Sequence, residues 1–285
     1  MSLFALALVL LSAIMHATWN LFAKRTNGGI TFVWLYDLLS AIIYAPVMIV
    51  LFITLHLTFT PVALIFIIGS GVFHLCYFIL LQRGYRVGDM SLVYPLARGT
   101  GPMLTTIVAL SFFGEHLPWY GILGVVLIVI GIFIVTGGTR LFQAKEAHAA
   151  VLYALVIGIL IACYTLWDKQ GVSTYHVFPI MLYYCNIFVQ LLLFAPYALP
   201  RWREVRQGWQ VHRWEAIGVA ILSPLSYFLI LITLTFTQVS YIAPAREIGV
   251  LFGTLMGTHL LAEGDGKRRL LAAGMIVLGV VALAI

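Results

Sequence analysis

The stretch YPLARGTGP, from Tyr94 to Pro102, places an arginine between two prolines in a long apolar run. A second stretch, IAPAREIGV from Ile242 to Val250, again places an arginine shortly after a proline. A guanidinium group stays charged in a protein, and a charge at the centre of a bilayer is costly. The fold must therefore explain how Arg98 and Arg246 are held.

The composition around these stretches indicates a helical membrane protein. The chain has 285 residues, of which 62% are hydrophobic and only 9% are charged. A soluble domain carries about 25% charged residues. A transmembrane barrel needs strands of roughly ten residues with alternating polarity, whereas the apolar runs here are longer and continuous. We predict an all-α integral membrane protein.

The apolar runs predict ten transmembrane helices, because about 20 apolar residues cross a bilayer core. The first run, Leu3 to Phe22, is long enough to span and lacks the basic segment of a signal peptide. The segment from Pro200 to Arg213 is predicted to be a loop. The predicted spans are 2–24, 32–54, 62–84, 89–112, 119–137, 150–170, 177–199, 214–236, 240–261 and 268–285.

Lysine and arginine placement predicts the orientation in the membrane. Thirteen of the sixteen basic residues lie in, or at span ends beside, the loops that join an odd-numbered span to the next span. Lys169 lies on the other side, and Arg98 and Arg246 lie well inside spans. We expect these loops in the cytoplasm and both termini outside, in the cell (inner) membrane. The net charge of +6 thus reflects topology, and no nucleic-acid partner is expected. The thirteen are Lys24, Arg25, Arg83, Arg86, Arg140, Lys145, Arg201, Arg203, Arg206, Arg213, Lys267, Arg268 and Arg269.

The two halves of the chain repeat each other. A shift of 148 residues carries Ala97-Arg98 onto Ala245-Arg246 and Glu115 onto Glu263, and a shift of 145 carries Lys24 onto Lys169. We predict two five-helix repeats, residues 1–140 and 150–285, within one membrane domain. Because five is odd, the second repeat is inverted, as in many transporters with a site near the midplane.

Four segments resemble the drug/metabolite transporter superfamily, and specifically its EamA-type branch. The resemblance covers the whole chain and implies a central cavity lined by spans 1, 3, 4, 6, 8 and 9 that opens alternately to each side. It names no substrate. Ten-span members usually have their termini inside, whereas the charge distribution here predicts termini outside. The segments are HATWN (His16–Asn20), GDMSLVYPLARGTGP (Gly88–Pro102), FFGEHL (Phe112–Leu117) and APAREIGVLFGTLMG (Ala243–Gly257).

The two arginines are the strongest binding candidates. Arg98 lies about 13 Å along its predicted helix, near the midplane. Arg98, Arg246 and Glu247 together carry a net charge of +1, which suits an anionic group gripped bidentately. In the alternative interpretation, Arg98 pairs with Asp37 or Glu247 and only fixes packing. Asp37 is expected near the interface.

Other polar and aromatic residues complete the predicted site. His16, Trp19 and Asn20 share one face of span 1, and His74 and Tyr77 share one face of span 3. Tyr94 precedes Arg98 by one turn. The predicted substrate-binding set is Arg98, Arg246, Glu247, His16, Trp19, Asn20, His74, Tyr77, Tyr94 and Tyr227.

The sequence predicts a secondary transporter of small polar metabolites, amino-acid-like or organic-anion solutes, with export favoured. The alternatives are an importer of an anionic nutrient such as a phosphonate and, remotely, an intramembrane enzyme. Glu247, His16 and His74 are candidate proton carriers, and uniport is equally open. No catalytic residue, metal or cofactor is expected. The expected partners are the small-molecule substrate and the lipid bilayer, with a monomer sufficient and a dimer possible.

Overall fold

The computed structural model describes residues 1–26, 29–87, 90–135, 147–252 and 266–285. These ranges are helical almost throughout and contain no strand. The helices in this part of the chain are α1 Leu3–Thr26, α2 Ile30–Thr54, α3 Pro61–Val87, α4 Met90–Phe112, α5 Trp119–Val135, α6 Ala147–Lys169, α7 Pro179–Ala198, α8 Trp202–Phe236, α9 Val239–Ala245 and α10 Gly266–Ala284.

Hydropathy and exposure confirm the predicted fold class, an all-α integral membrane protein. Among the described residues, five helical stretches are long and apolar enough to cross a membrane, and the stretch Pro179–Phe236 contains both α7 and α8. Large apolar side chains face outward: Leu3 is 83% and Leu192 is 73% exposed. Soluble monomers rarely present so much contiguous apolar surface. Lipid is the environment that suits it.

Helix α8 corrects one prediction. Its first residue is Trp202, so most of the predicted loop from Pro200 to Arg213 is helical, with a kink at His212 where φ is −123° and ψ is 34°. Hydropathy cannot detect this segment, because it is too polar to span. Its arginine, glutamate and glutamine residues nevertheless favour a helix, and Glu204 in the first turn suits the helix dipole.

Helix packing follows the two-fold relation between the repeats, which pairs α1 with α6, α2 with α7 and α3 with α8. Helix α1 packs on α8, and its counterpart α6 packs on α3. Likewise α2 packs on α8 and α7 packs on α3, while α2 and α7 pack on each other. The repeats are thus interleaved, and the space between them lies at the centre of the bundle.

Helices α5 and α10 meet through a reciprocal glycine contact. A Cβ atom on Gly124 would lie 2.6 Å from the carbonyl oxygen of Gly279, and a Cβ atom on Gly131 would lie 3.0 Å from that of Ala272. The shift of 148 carries Gly131 onto Gly279 and Gly124 onto Ala272, so the symmetry exchanges the two contacts. Small residues allow this close approach of membrane helices.

Two charged side chains hold the turn between α8 and α9. The Glu115 carboxylate accepts hydrogen bonds from the backbone N–H groups of Val239 and Ser240, both at 2.9 Å. The Lys169 ammonium donates to the carbonyls of Leu234 at 2.9 Å and Thr237 at 3.0 Å. An anion at a helix N-terminus and a cation at a C-terminus are each favourable. The pair therefore fixes where α9 enters the bundle.

Candidate functional site

A small cavity lies where α4, α6 and α9 meet. The free space inside it has room for about one water molecule, so a metabolite enters only after helices or side chains move. Its lining combines charged, hydroxyl and aromatic groups. The lining residues are Arg98, Pro102, Thr105, Ile161, Tyr164, Thr165, Ala243, Arg246 and Glu247.

Arg98 is held by partners from two other helices. Its Nη1 donates to Glu247 Oε1 at 3.1 Å, and its Nη2 donates to His16 Nε2 at 2.6 Å. Because a guanidinium group can only donate, this nitrogen of His16 accepts and carries no proton. The side chains of Arg98 and Glu247 are only 12% and 4% exposed. The pair thus joins α4 of the first repeat to residues of the second.

The contribution of the Arg98–Glu247 ion pair to stability depends on its burial. A charged side chain at the centre of a membrane helix costs about 2.5–3.5 kcal/mol on insertion scales. A close, hydrogen-bonded partner offsets much of that cost, but removal of one partner leaves the other charge buried alone. The geometry matches the alternative in which Arg98 pairs with Glu247, and it leaves Arg98 few free directions for a ligand.

Arg246 has a different environment. Within the described residues its guanidinium makes no ion pair, and it lies over the ring of Tyr227 at 5.4 Å from the centroid. Such a cation–π contact stabilises a charge without occupying its hydrogen-bond donors. The group faces the cavity. It can therefore accept an anionic ligand without first breaking an ion pair among these residues.

The backbone at Arg246 is also interrupted. Helix α9 ends at Ala245, Arg246 and Glu247 form a turn, and residues 248–252 are helical again. The Glu247 N–H donates to the Pro244 carbonyl at 3.0 Å, an i→i−3 bond that is tighter than the i→i−4 bond of an α-helix. Helices broken near the midplane commonly form transporter binding sites. Helix α4, by contrast, continues through Arg98.

Aromatic rings form a cluster beside the cavity. His74 stacks on Tyr164 with ring centroids 4.3 Å apart, and it meets the edge of Tyr227 at 5.6 Å. Tyr183 lies 4.6 Å from Tyr227, and Tyr77 packs against Tyr164 at 5.9 Å. Four helices, α3, α6, α7 and α8, contribute these rings. The cluster gives the site a wall that is apolar on ring faces and polar at hydroxyl groups.

Asp168 on α6 is fully buried beside this cluster. The Tyr227 hydroxyl donates to its Oδ2 at 2.5 Å. The hydroxyl of Ser70 lies nearby, but no described residue hydrogen-bonds the other oxygen, Oδ1. Ser70 itself accepts a hydrogen bond from Asn186 at 2.7 Å. A buried carboxylate with so few donors is uncommon in native structures.

Asp37 on α2 also differs from its predicted place. We expected it near the interface, but it is only 6% exposed, and its Oδ2 has no hydrogen-bond partner among the described residues. Apart from Glu115, which holds the turn before α9, the buried carboxyl groups of the described residues are therefore Glu247, Asp168 and Asp37, three groups against the guanidinium groups of Arg98 and Arg246. The net charge of +1 counted for Arg98, Arg246 and Glu247 is therefore lost when the carboxyl groups of Asp168 and Asp37 are included.

Comparison with known families decides what kind of protein carries this arrangement. The family model for the EamA-like transporter family matches residues 3–137 and 148–285, nearly the whole chain. The chain belongs to the EamA-like transporter family. It is thus a multi-pass membrane transporter of small molecules, and the predicted resemblance is confirmed.

Two further comparisons concern a curated protein and a solved structure. The chain is 28% identical over 88 residues to the multidrug transporter PA4990 of Pseudomonas aeruginosa strain PAO1, which is 31% of this chain and 74% of that protein. A crystal structure of another protein superposes with a TM-score of 0.77 and 14% identity, and covers 98% of this chain and 95% of that one. At that identity the likeness shows the fold alone.

The EamA-like chain brings most of the predicted site residues to the cavity or its walls. Arg98, Arg246 and Glu247 line it, and His16 contacts Arg98. Trp19 meets His16 edge-on at 5.0 Å, and His74, Tyr77 and Tyr227 belong to the aromatic cluster. The Asn20 amide instead donates to the His16 carbonyl of its own helix at 2.7 Å. The Tyr94 side chain lies outside the described part of the chain.

Sequence reasoning missed several residues that the repeat could have indicated. The shift of 145 that aligns Lys24 with Lys169 also carries Trp19 onto Tyr164 and Asn20 onto Thr165. Both Tyr164 and Thr165 line the cavity. Asp168 aligns with Ala23, so the repeat does not indicate it. The signal that could have indicated it is the presence of a charged residue within an apolar run.

Proposed function

We propose that this EamA-like transporter exports small polar solutes, amino-acid-like or other organic anions, by alternating access. The cavity between α4, α6 and α9 would open in turn to each side. Arg246 would hold the solute's carboxylate or comparable anionic group through bidentate hydrogen bonds. The predicted location is the inner membrane, with the odd-to-even loops in the cytoplasm.

The environment of Arg246 carries the proposal. A guanidinium group that faces a cavity, rests on an aromatic ring and makes no ion pair among the described residues is available to an anion. The helix break at Arg246 and Glu247 supports the same conclusion, because discontinuous helices give a site local backbone freedom. The Pseudomonas relative is named a multidrug transporter, which supports transport of small molecules without giving a direction.

The small free volume supports a gated site rather than an open channel. With room for about one water molecule among the lining residues, a solute cannot pass through this conformation. Separation of residues on α4 from residues on α9 would open the cavity. The Arg98–Glu247 contact joins α4 to the turn that follows α9, so it would have to break or move as a unit in each cycle.

Solute counterflow in proteoliposomes tests the proposal. Vesicles loaded with an unlabelled panel of amino acids, dicarboxylates and phosphonates are assayed for uptake of each labelled compound. We expect flux of at least one anionic or zwitterionic compound that disappears in Arg246→Ala. No flux over the panel, or unchanged flux in Arg246→Ala, contradicts the proposed site.

Directional assays separate the alternatives. Oriented vesicles with an imposed gradient distinguish export from uptake, and net uptake of a phosphonate would replace export with the import alternative. Hydrolysis of a membrane substrate, with no solute flux, would favour the intramembrane enzyme. Membership of a transporter family supports transport over that reaction.

A further inference from the structure

The charges around the cavity do not suit a purely anionic solute. Arg246 can receive one anionic group, but the fully buried carboxyl group of Asp168 lies beyond Tyr227 from it. An anion large enough to fill the site would meet this carboxylate. Two like charges brought together in a low-dielectric interior repel strongly. A solute with one positive group would remove the conflict.

Asp168 has the features of a cation-binding group. No hydrogen bond from a described residue reaches its Oδ1, although the side chain is fully buried. Its Oδ2 accepts the neutral hydroxyl of Tyr227, the Ser70 hydroxyl is a second neutral donor close to the carboxyl group, and no cation lies within ion-pair distance of it in the described part of the chain. Burial of a carboxylate without such a partner is expensive. A ligand ammonium group would supply both the charge and the missing donor.

The surrounding rings suit the same ligand group. Tyr164, Tyr183, Tyr227 and His74 come from four helices and pack with centroids between 4.3 and 6.3 Å apart. Aromatic faces attract ammonium groups, and cages of several rings are a recurring way to bind them. In this conformation the rings contact one another, so an ammonium group would reach their faces only as the cavity opens, and the carboxylate beside them would add an ion pair that the rings alone lack.

We propose that Asp168 and the rings of His74, Tyr164, Tyr183 and Tyr227 form a subsite for the ammonium group of the solute. The solute is then zwitterionic, with its anionic group on Arg246 and its ammonium group at Asp168. This inference rests on the proposed function, because it assumes that Arg246 binds the solute, and it decides between the amino-acid-like and purely anionic classes.

The residues between the cavity and Asp168 form a path along which the ammonium group of the solute could reach the carboxylate. Tyr164 and Thr165 line the cavity, and Asp168 lies one turn further along the same helix. Tyr227 contacts both charged groups, since its ring lies under Arg246 and its hydroxyl binds Asp168. Displacement of that hydroxyl, when the cavity opens, exposes the carboxylate to the solute.

Binding measurements with matched ligands test the subsite. Purified full-length protein is titrated calorimetrically with the twenty amino acids, and the tightest binder is compared with its N-acetyl derivative, which lacks the ammonium group, and with the amine that lacks the carboxylate. A hydrogen-bonded ion pair predicts that the wild type prefers the free amino acid over the N-acetyl form by at least about tenfold. Equal affinity for the two forms overturns the proposal.

Single variants show which carboxyl group causes the preference for the free amino acid over its N-acetyl form. In Asp168→Asn, which has nearly the same shape, the preference should fall to about twofold or less, with affinity for the N-acetyl form unchanged and Asp168→Glu recovering part of it. Asp37→Asn is the matched control, because it neutralises another buried carboxyl group on a helix that does not line the cavity. A retained preference in Asp168→Asn, or an equal loss in Asp37→Asn, contradicts the assignment.

The outcomes separate this inference from the proposed function. If only amine-free anions bind, and they require Arg246, the proposed function stands and the ammonium subsite is wrong. If no compound binds or is transported, both are wrong. Should Asp168→Asn fail to give a monodisperse protein, the wild-type comparison of the amino acid with its N-acetyl form decides alone.

Discussion

The two arginines occupy equivalent positions in the repeats but have unequal surroundings. Arg98 lies in a continuous helix and is bound by Glu247 and His16. Arg246 lies in a break between helical segments and rests on Tyr227, with no ion pair among the described residues. The same residue in the same place of a duplicated fold therefore has two environments, one closed by protein partners and one open to a ligand.

This difference indicates that equivalent residues of an inverted repeat can have different roles, one in holding the fold together and one in binding a ligand. The insertion cost of a central arginine is similar in both halves, but it is offset by different means. In the first half an ion pair within the protein offsets it, and this pair ties the two repeats together. In the second half an aromatic face offsets part of it, and a ligand can offset the rest.

Loss of the Arg98 side chain should have the largest effect, and the effect should be on stability. Arg98→Ala leaves Glu247, which is only 4% exposed, without its cation, and such a break costs about 3–5 kcal/mol. We expect a markedly lower thermal midpoint and little monodisperse protein in detergent. Normal stability of Arg98→Ala would show that the ion pair does not hold the repeats together.

Loss of the Arg246 side chain should instead affect binding. Removal of one charged partner from a buried, hydrogen-bonded contact costs about 2–5 kcal/mol, so solute affinity in Arg246→Ala should fall roughly hundredfold. The thermal midpoint without solute should stay close to that of the wild type. A clearly lower thermal midpoint of Arg246→Ala together with unchanged solute affinity, measured by calorimetry, would reverse the assignment of the two arginines.

Lysine substitutions at the two arginines should have smaller effects and test the same difference between them. Lysine keeps the charge but loses the planar fork that binds carboxylates bidentately. Arg246→Lys should weaken solute binding by roughly tenfold, whereas Arg98→Lys should stay folded, because a single contact to Glu247 is enough to neutralise it. A larger loss of solute affinity in Arg98→Lys than in Arg246→Lys would contradict the division of tasks.

The smallest effect should come from Glu115, which positions the helix that leads to Arg246. Glu115→Gln keeps one hydrogen-bond acceptor for Val239 and Ser240 but loses the charge at the start of α9, a change of about 1 kcal/mol. We expect a small drop in the thermal midpoint and a severalfold loss of solute affinity. Glu204→Gln, at the exposed start of α8, is the control; an equal loss of affinity there would show that the effect is not local.

Hydropathy, charge and internal repetition predicted most of the fold. Long, continuous apolar runs predict transmembrane helices because a helix satisfies all its backbone hydrogen bonds within one segment, whereas a barrel needs shorter, alternating strands. The matched Arg98 and Arg246 revealed the repeat. The helical segment from Trp202 to His212 was missed because it is too polar for hydropathy to detect. Its helix propensity was the usable signal.

The site could be predicted only in part, because side-chain partners depend on packing between distant segments. Nothing in the sequence decides whether Arg98 meets Asp37 or Glu247; the approach of α4 to the residues after α9 does. Burial of Asp168 beside Tyr227 likewise depends on contacts between α6 and α8. The candidate list therefore included both arginines that line the cavity but missed the buried carboxylate of Asp168, on which the proposed zwitterionic solute depends.

The most direct test of the division between the arginines is solute counterflow, which needs no imposed ion gradient. It compares the double variant Arg98→Met/Glu247→Gln with the single variant Arg246→Ala. Replacement of a whole buried ion pair by neutral residues is often tolerated, so we predict that the double variant folds and retains solute exchange while Arg246→Ala folds and loses it. Exchange lost as completely in a folded double variant, or retained in Arg246→Ala, would contradict the account.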